Sequence, residues 1–121
     1  MFVVAGLNSQ YDYDLRRVES VCDGMDGLCI GCVDVLKAHF YIADFFLEAG
    51  RGGLSQPGVM NEALLASCVA RQCTGFGGNA KWKNEYEKCA TLVYGIVKNH
   101  CFFDANKRTA ILIMLFICIT I

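Results

Sequence analysis

An all-α fold is the class this sequence predicts. Apolar residues recur at three- and four-residue spacing through several segments, and no stretch alternates polar and apolar residues as a half-buried strand would. The chain of 121 residues holds one proline, and 55% of its residues are hydrophobic, which favours a helical bundle over a disordered or all-β chain. That length suits one domain with a modest core.

Residues 1–29 show no sustained period and contain several Asp and Gly residues; they are expected to form a loosely ordered leader ahead of a domain over 30–121. The opening stretch 1–7 is short and has no basic residue before it, unlike a signal peptide. The first expected helix covers about 34–48. Val35, Leu36, His39, Ile42, Ala43, Phe46 and Leu47 share one face, and Asp34, Lys37, Tyr41, Asp44 and Glu48 the other. His39 on the apolar face reads as a hydrogen-bonded core histidine. Glycines at 50, 52 and 53 end this helix.

A second helix is expected over about 61–72, with Leu64, Leu65, Cys68 and Val69 inward. Arg71 and Gln72 at its end suit either a docking role for a peptide or simple helix termination. The glycine-rich stretch 74–80 lacks the Lys-Ser/Thr ending of a phosphate loop. Phe76 and Trp82 near it suit either contacts for a target or packing of the loop. A third helix over about 84–99 is expected to bury Tyr86, Cys89, Ala90, Val93, Ile96 and Val97. The last helix starts near Asn106. Its run from Ala110 is apolar around the whole circumference yet shorter than the ~20 residues a bilayer needs, so a buried core helix is expected.

Eight cysteines are present, but no export signal supports a secreted disulfide scaffold. Cys68, Cys89 and Cys118 sit among apolar neighbours as small hydrophobes. Cys29 and Cys32 have C-x-x-C spacing, with Cys22 the one further local ligand, which leaves a zinc site short. Structural thiols and a cytoplasmic, reducing location are therefore expected.

Net charge is −1, with no global field for nucleic acid or membrane. Residues 1–60 carry −4 and residues 61–121 carry +3, so the positive half is the half with the most informative segment. That segment is His100-Cys101-Phe102-Phe103-Asp104-Ala105-Asn106-Lys107-Arg108-Thr109-Ala110. It sets a histidine, an acid, an amide and two cations at a helix start, where a polyphosphate binds well. His100 suits a general base toward a hydroxyl. Lys107 and Arg108 can neutralise phosphoryl oxygens. Asp104 can supply an oxygen to Mg2+, or cap the helix, or both. The amide of Asn106 can orient a phosphate or the loop backbone, and Phe102 reads as an anchor.

The same residues resemble the signature of the Fic/Doc superfamily, and in particular its Doc (death-on-curing) toxin branch. The resemblance extends to Val35-Leu36-Lys37-Ala38-His39, to Gly58 through Leu65 with Ala70-Arg71, and to the helix entering the motif, covering about 33–121. It implies a compact Fic/Doc-type helical bundle. It further implies His100 as base, Asp104 as metal ligand, and Asn106, Lys107 and Arg108 as holders of ATP phosphates.

Adenylyl-transferring members usually read H-x-F-x-D/E-G-N-G-R-x-x-R. Here Ala105 and Lys107 replace the two glycines, and Ile111 stands at the second arginine. The Doc branch shares these departures. The resemblance thus implies transfer of the γ-phosphoryl group of ATP, with Mg2+, to a hydroxyl of a translation elongation GTPase, in a toxin governed by a cognate antitoxin. AMP transfer and a non-catalytic antitoxin-binding remnant are the alternatives. Doc-like domains usually continue past this last helix, so a domain short of its C-terminal helix is expected.

Overall fold

The computed structural model describes residues 9–22, 30–48, 50, 56–73, 75–76, 79–80 and 84–120. Among them are five α-helices: α1 (Ser9–Cys22), α2 (Cys32–Glu48), α3 (Glu62–Ala70), α4 (Glu85–Asn99) and α5 (Asn106–Thr120). A 3-10 turn, Arg71–Cys73, follows α3. The only sheet among the described residues is a pair of two-residue strands, β1 (Gly75–Phe76) and β2 (Asn79–Ala80), antiparallel with Gly75 opposite Ala80. The fold is all-α, as the periodicity predicts. None of the described helices is long and apolar enough to cross a membrane.

The first correction concerns the leader. Residues 9–22 are a helix packed on α2 and α3, not a loose segment. Tyr11, Leu15, Val18 and Cys22 recur at helical spacing and face the core, but charged residues interrupt them and blur the period. The Tyr11 ring meets Phe40 of α2 edge-on at 5.4 Å. Two of the charged residues, Asp14 and Arg17, find tertiary partners that no local pattern announces.

Asn61 and Asn84 cap α3 and α4, their side-chain oxygens accepting the N–H groups of Leu64 (3.1 Å) and Glu87 (2.9 Å). α4 lies along α5 and against α3. Gly95 makes that second approach possible, since a Cβ there would sit 3.2 Å from Arg71 Cδ and 3.3 Å from Cys68 Sγ. The core joins Val18, Val35, Leu36, Phe40, Leu65, Val69, Leu92, Ile96, Phe102 and Ile113.

Several expected faces are rotated. On α2, Ala38 and Phe40 are buried while Leu47 is exposed; on α4, Leu92 is buried while Tyr86 and Ala90 are exposed. The last helix is not buried on all sides. Ala110, Ile113 and Ile117 face inward, but Ile111, Met114, Leu115 and Ile119 are exposed. An apolar circumference cannot say which side the neighbours occupy.

Cys22 and Cys32 form a disulfide between the end of α1 and the start of α2, with Cα atoms 6.4 Å apart, a normal span for such a bond. This overturns the thiol reading for these two residues, while Cys68, Cys89, Cys101 and Cys118 are free thiols. Cys29 and Trp82 lie outside the described residues. Gln72 is a buried clamp, its amide accepting the Ile30 N–H and donating to the Ile30 carbonyl. Arg71 donates to Thr91 and lies over the Tyr94 ring. Both therefore tie α3 to its surroundings.

Candidate active site

The segment between α4 and α5 is shaped by two residues with positive φ. His100, the C-cap of α4, has φ 51° and ψ 55°, and Ala105, just before α5, has φ 60°. Neither is glycine, so the loop holds left-handed backbone at a cost of about 1 kcal/mol per residue. Ala105 stands where the adenylyl-transferring pattern has glycine. Ala105→Gly is expected to stabilise the fold by about 0.5–1 kcal/mol, read as a higher urea midpoint with an unchanged m-value.

The loop is held from three directions. An antiparallel bridge joins Phe102 to Val59 in the segment before α3. The Cys101 carbonyl accepts the N–H groups of Met60 (2.8 Å) and Asn61 (3.2 Å), and the Phe103 N–H donates to the Gly58 carbonyl at 3.1 Å. From α5, the Asn106 side chain accepts the Phe102 N–H and donates to the Phe102 carbonyl, both at 3.0 Å. From below, the buried Phe102 ring stacks on His39 at 3.9 Å with 7° between planes.

His39 is fully buried on α2. Its Nε2 accepts the Gly58 N–H at 2.9 Å, so the ring proton is on Nδ1, which donates to Thr109 Oγ1 at 3.2 Å. Burial pushes its pKa down to about 3, against an opposing pull from the Asp104 carboxylate. Desolvation wins, and His39 is the neutral core histidine that its position on α2 predicts.

Gly58 sits where these contacts converge, with φ +124°. A Cβ there would lie 3.0 Å from Asp14 Oδ2 and from Gln10 Nε2. Gln10 can move, but the buried Asp14 carboxylate is held by its own partners. Gly58→Ala is therefore expected to cost about 3 kcal/mol, combining backbone strain and a displaced acceptor, or about 10 °C in Tm.

On the outer side a cleft of about 300 Å³ is lined by His100, Phe103, Asp104, Ala105, Asn106, Lys107 and Arg108. All five residues singled out in the sequence, His100, Asp104, Asn106, Lys107 and Arg108, thus line one cavity. Their parts differ. His100, Lys107 and Arg108 are exposed, Asp104 is half-buried, and Asn106 is buried. The Asn106 amide bonds to the Phe102 backbone through both its oxygen and its nitrogen, the loop-orienting bond that the sequence allows. Arg108 lies over the Phe46 ring of α2 at 4.7 Å. Asp104 Oδ1 accepts the Ala105 N–H at 2.7 Å.

The first i→i−4 bond of α5 runs from Thr109 N–H to the Ala105 carbonyl at 3.0 Å. The N–H groups of Asn106, Lys107 and Arg108 therefore have no acceptor within their helix. They lie at the positive end of its dipole beside two cations, an environment for phosphate oxygens. Among the described residues no three His, Cys, Asp or Glu side chains converge to hold a metal. One carboxylate at a phosphate site nonetheless fits Mg2+, which takes one or two protein ligands and fills its shell with phosphate and water. Sequence reasoning missed Phe103 and Ala105 as lining residues, although their place inside the motif is the signal for both. It also missed Asp14, Gly58 and Val59 as loop supports.

A helical bundle that presents this loop–helix cleft has a place for a phosphate-bearing ligand. The chain belongs to the Fic/DOC family, whose sequence model matches residues 32–118. No curated protein and no solved structure gives a significant match to the chain.

Proposed function

We propose that the chain is a Doc-branch protein phosphotransferase that moves the γ-phosphoryl group of ATP to a hydroxyl of a translation elongation GTPase. It would act in the cytoplasm as a toxin restrained by a cognate antitoxin. The observation that carries this reading is the identity of Lys107 and Ile111 on α5. Lys107 lines the cleft with a long cationic side chain where the adenylyl-transferring pattern has glycine. Ile111, one turn on, offers an exposed apolar side chain where that pattern has its second arginine. A nucleotide held with its α-phosphate toward the target would lose the close backbone approach and the guanidinium together. A nucleotide held the other way meets Lys107, Arg108 and the N–H groups of the first turn of α5 with its phosphates.

In this reading the target hydroxyl gives its proton to His100 as its oxygen bonds to the γ-phosphorus. The bond from that phosphorus to the bridging oxygen breaks, and ADP leaves. Lys107 and Arg108 neutralise charge on the phosphate oxygens. Asp104 would hold Mg2+, which supplies further neutralisation when bound. Asn106 acts indirectly, by fixing the loop that carries His100 and Asp104.

The test is label transfer from ATP tagged on either its α or its γ phosphate, in bacterial lysate with Mg2+. Label from the γ position alone on one protein is the expected result. Label from the α position would replace this reading with AMP transfer, and none from either with a binding-only domain.

A further inference from the structure

Asp14 is a carboxylate with no exposure to solvent, on a helix that precedes the segment matched to the family. Its Oδ2 accepts the Val59 N–H at 3.0 Å, and its Oδ1 accepts Gln10 Nε2 and Arg17 Nη1, each at 3.1 Å. The same Arg17 Nη1 donates to the Val59 carbonyl at 3.2 Å, and Arg17 Nη2 pairs with Glu62 at the start of α3. Both polar groups of Val59 are thus held by side chains of α1.

Val59 is the residue bridged to Phe102. Its neighbours Gly58, Met60 and Asn61 make the backbone bonds to Phe103 and Cys101. His100 is therefore fixed on one side by the end of α4 and on the other by the Cys101 carbonyl, which the 58–61 segment holds.

We propose that Asp14 is a positioning residue: through Val59 it sets the placement of the motif loop, and so of His100 over the cleft. Removing the acid takes the acceptor from the buried Val59 N–H and so costs stability as well as placement, which is why the test carries a destabilised control. What an apolar side chain cannot do is accept the Val59 N–H while leaving Arg17 free to donate to its carbonyl. A shift of about 1 Å at a reacting group costs about 100-fold in rate, so a strut of this kind has leverage on chemistry. The inference about rate rests on the reading of His100 as base; the inference about loop placement does not.

Asp14→Ala and Asp14→Asn are compared with wild type and with Ile117→Ala, a destabilising control at the far end of α5. Two readouts are taken at a temperature where every variant is folded: NMR of the His100 imidazole with amide exchange at Met60 and Phe103, and steady-state phosphotransfer. Asp14→Ala is expected to shift the His100 resonance and to speed exchange at both amides at least tenfold beyond the control. Its kcat is expected to fall about 100-fold with KM for ATP within about twofold. Asp14→Asn keeps an acceptor for Val59 and should recover part of kcat.

An unmoved His100 resonance with protected amides in Asp14→Ala overturns the proposal whatever the activity. An unchanged kcat in that folded variant overturns the inference about rate. If wild type transfers no label, the phosphotransfer reading falls, and the two NMR readouts still decide the placement.

Discussion

His100→Ala is expected to lower label transfer about 10²–10⁴-fold, the usual contribution of a positioned general base, while the protein stays folded. The side chain is exposed and lies outside the apolar core. Its structural duty is the backbone conformation at the end of α4, with φ 51°. Histidine tolerates that region somewhat better than alanine, so the stability cost should stay under about 1 kcal/mol. The phosphate-holding groups, Lys107, Arg108 and the first turn of α5, are untouched, and ATP should bind the variant about as well as wild type. The check is paired: transfer rate and Tm on the same preparation. Transfer at the wild-type rate would remove His100 as base. Loss of transfer with a Tm lower by 10 °C or more would mean the loop, not the base, had been lost.

Mild acid is expected to destabilise the fold through His39. Its pKa in the folded protein is about 3, lowered by burial from the ordinary 6.5. Between those values the unfolded chain binds a proton that the folded protein excludes. Stability therefore rises with pH through this window: it is complete above about pH 7 and falls as pH drops toward 3. The full slope is about 1.4 kcal/mol per pH unit, which gives a loss of about 2 kcal/mol between pH 7 and pH 5 from this group alone. Asp104, the charged group acting on the ring, opposes the shift without cancelling it. His39→Gln would be less stable at pH 7, since it disturbs the bonds to Gly58 and Thr109, but its denaturant midpoint should lose most of the pH dependence between 7 and 5. An equally steep profile in that variant would place the acid sensitivity elsewhere. His39 stacks on Phe102 and bonds to Gly58, so the same protonation should loosen the motif loop.

The helices over 32–48, 62–70 and 85–99 were legible in the sequence because each packs a stripe of apolar residues, and the one over 106–120 because of its long apolar run; both signals survive any arrangement of neighbours. The rotational setting of each helix was less legible. Leu47, Tyr86 and Ala90 are apolar and stand on a plausible face, yet they are exposed, while Ala38, Phe40 and Leu92 are buried. The direction from which the neighbouring helices approach, α1 and α5 for α2, α5 and α3 for α4, decides that, and it is not written within any one helix. α1 itself was missed because Asp14 and Arg17 interrupt its apolar stripe, and only contacts 42–45 residues away make them tolerable.

The sequence by itself determined an all-α chain, a motif with a histidine, an acid and two cations close together, and membership of the Fic/DOC family. Short-range spacing carries the first two, because a helix and the loop ahead of it place nearby residues by local geometry alone, and the match over residues 32–118 carries the third. Tertiary structure alone decided that the Asn106 amide serves the Phe102 backbone, that Cys32 pairs with Cys22, and that Gly58 must be glycine. It also decided that Asp14 reaches the motif loop through Val59. Each of these depends on groups far apart in the chain meeting within hydrogen-bonding or van der Waals distance, and such meetings exist only once the helices have packed.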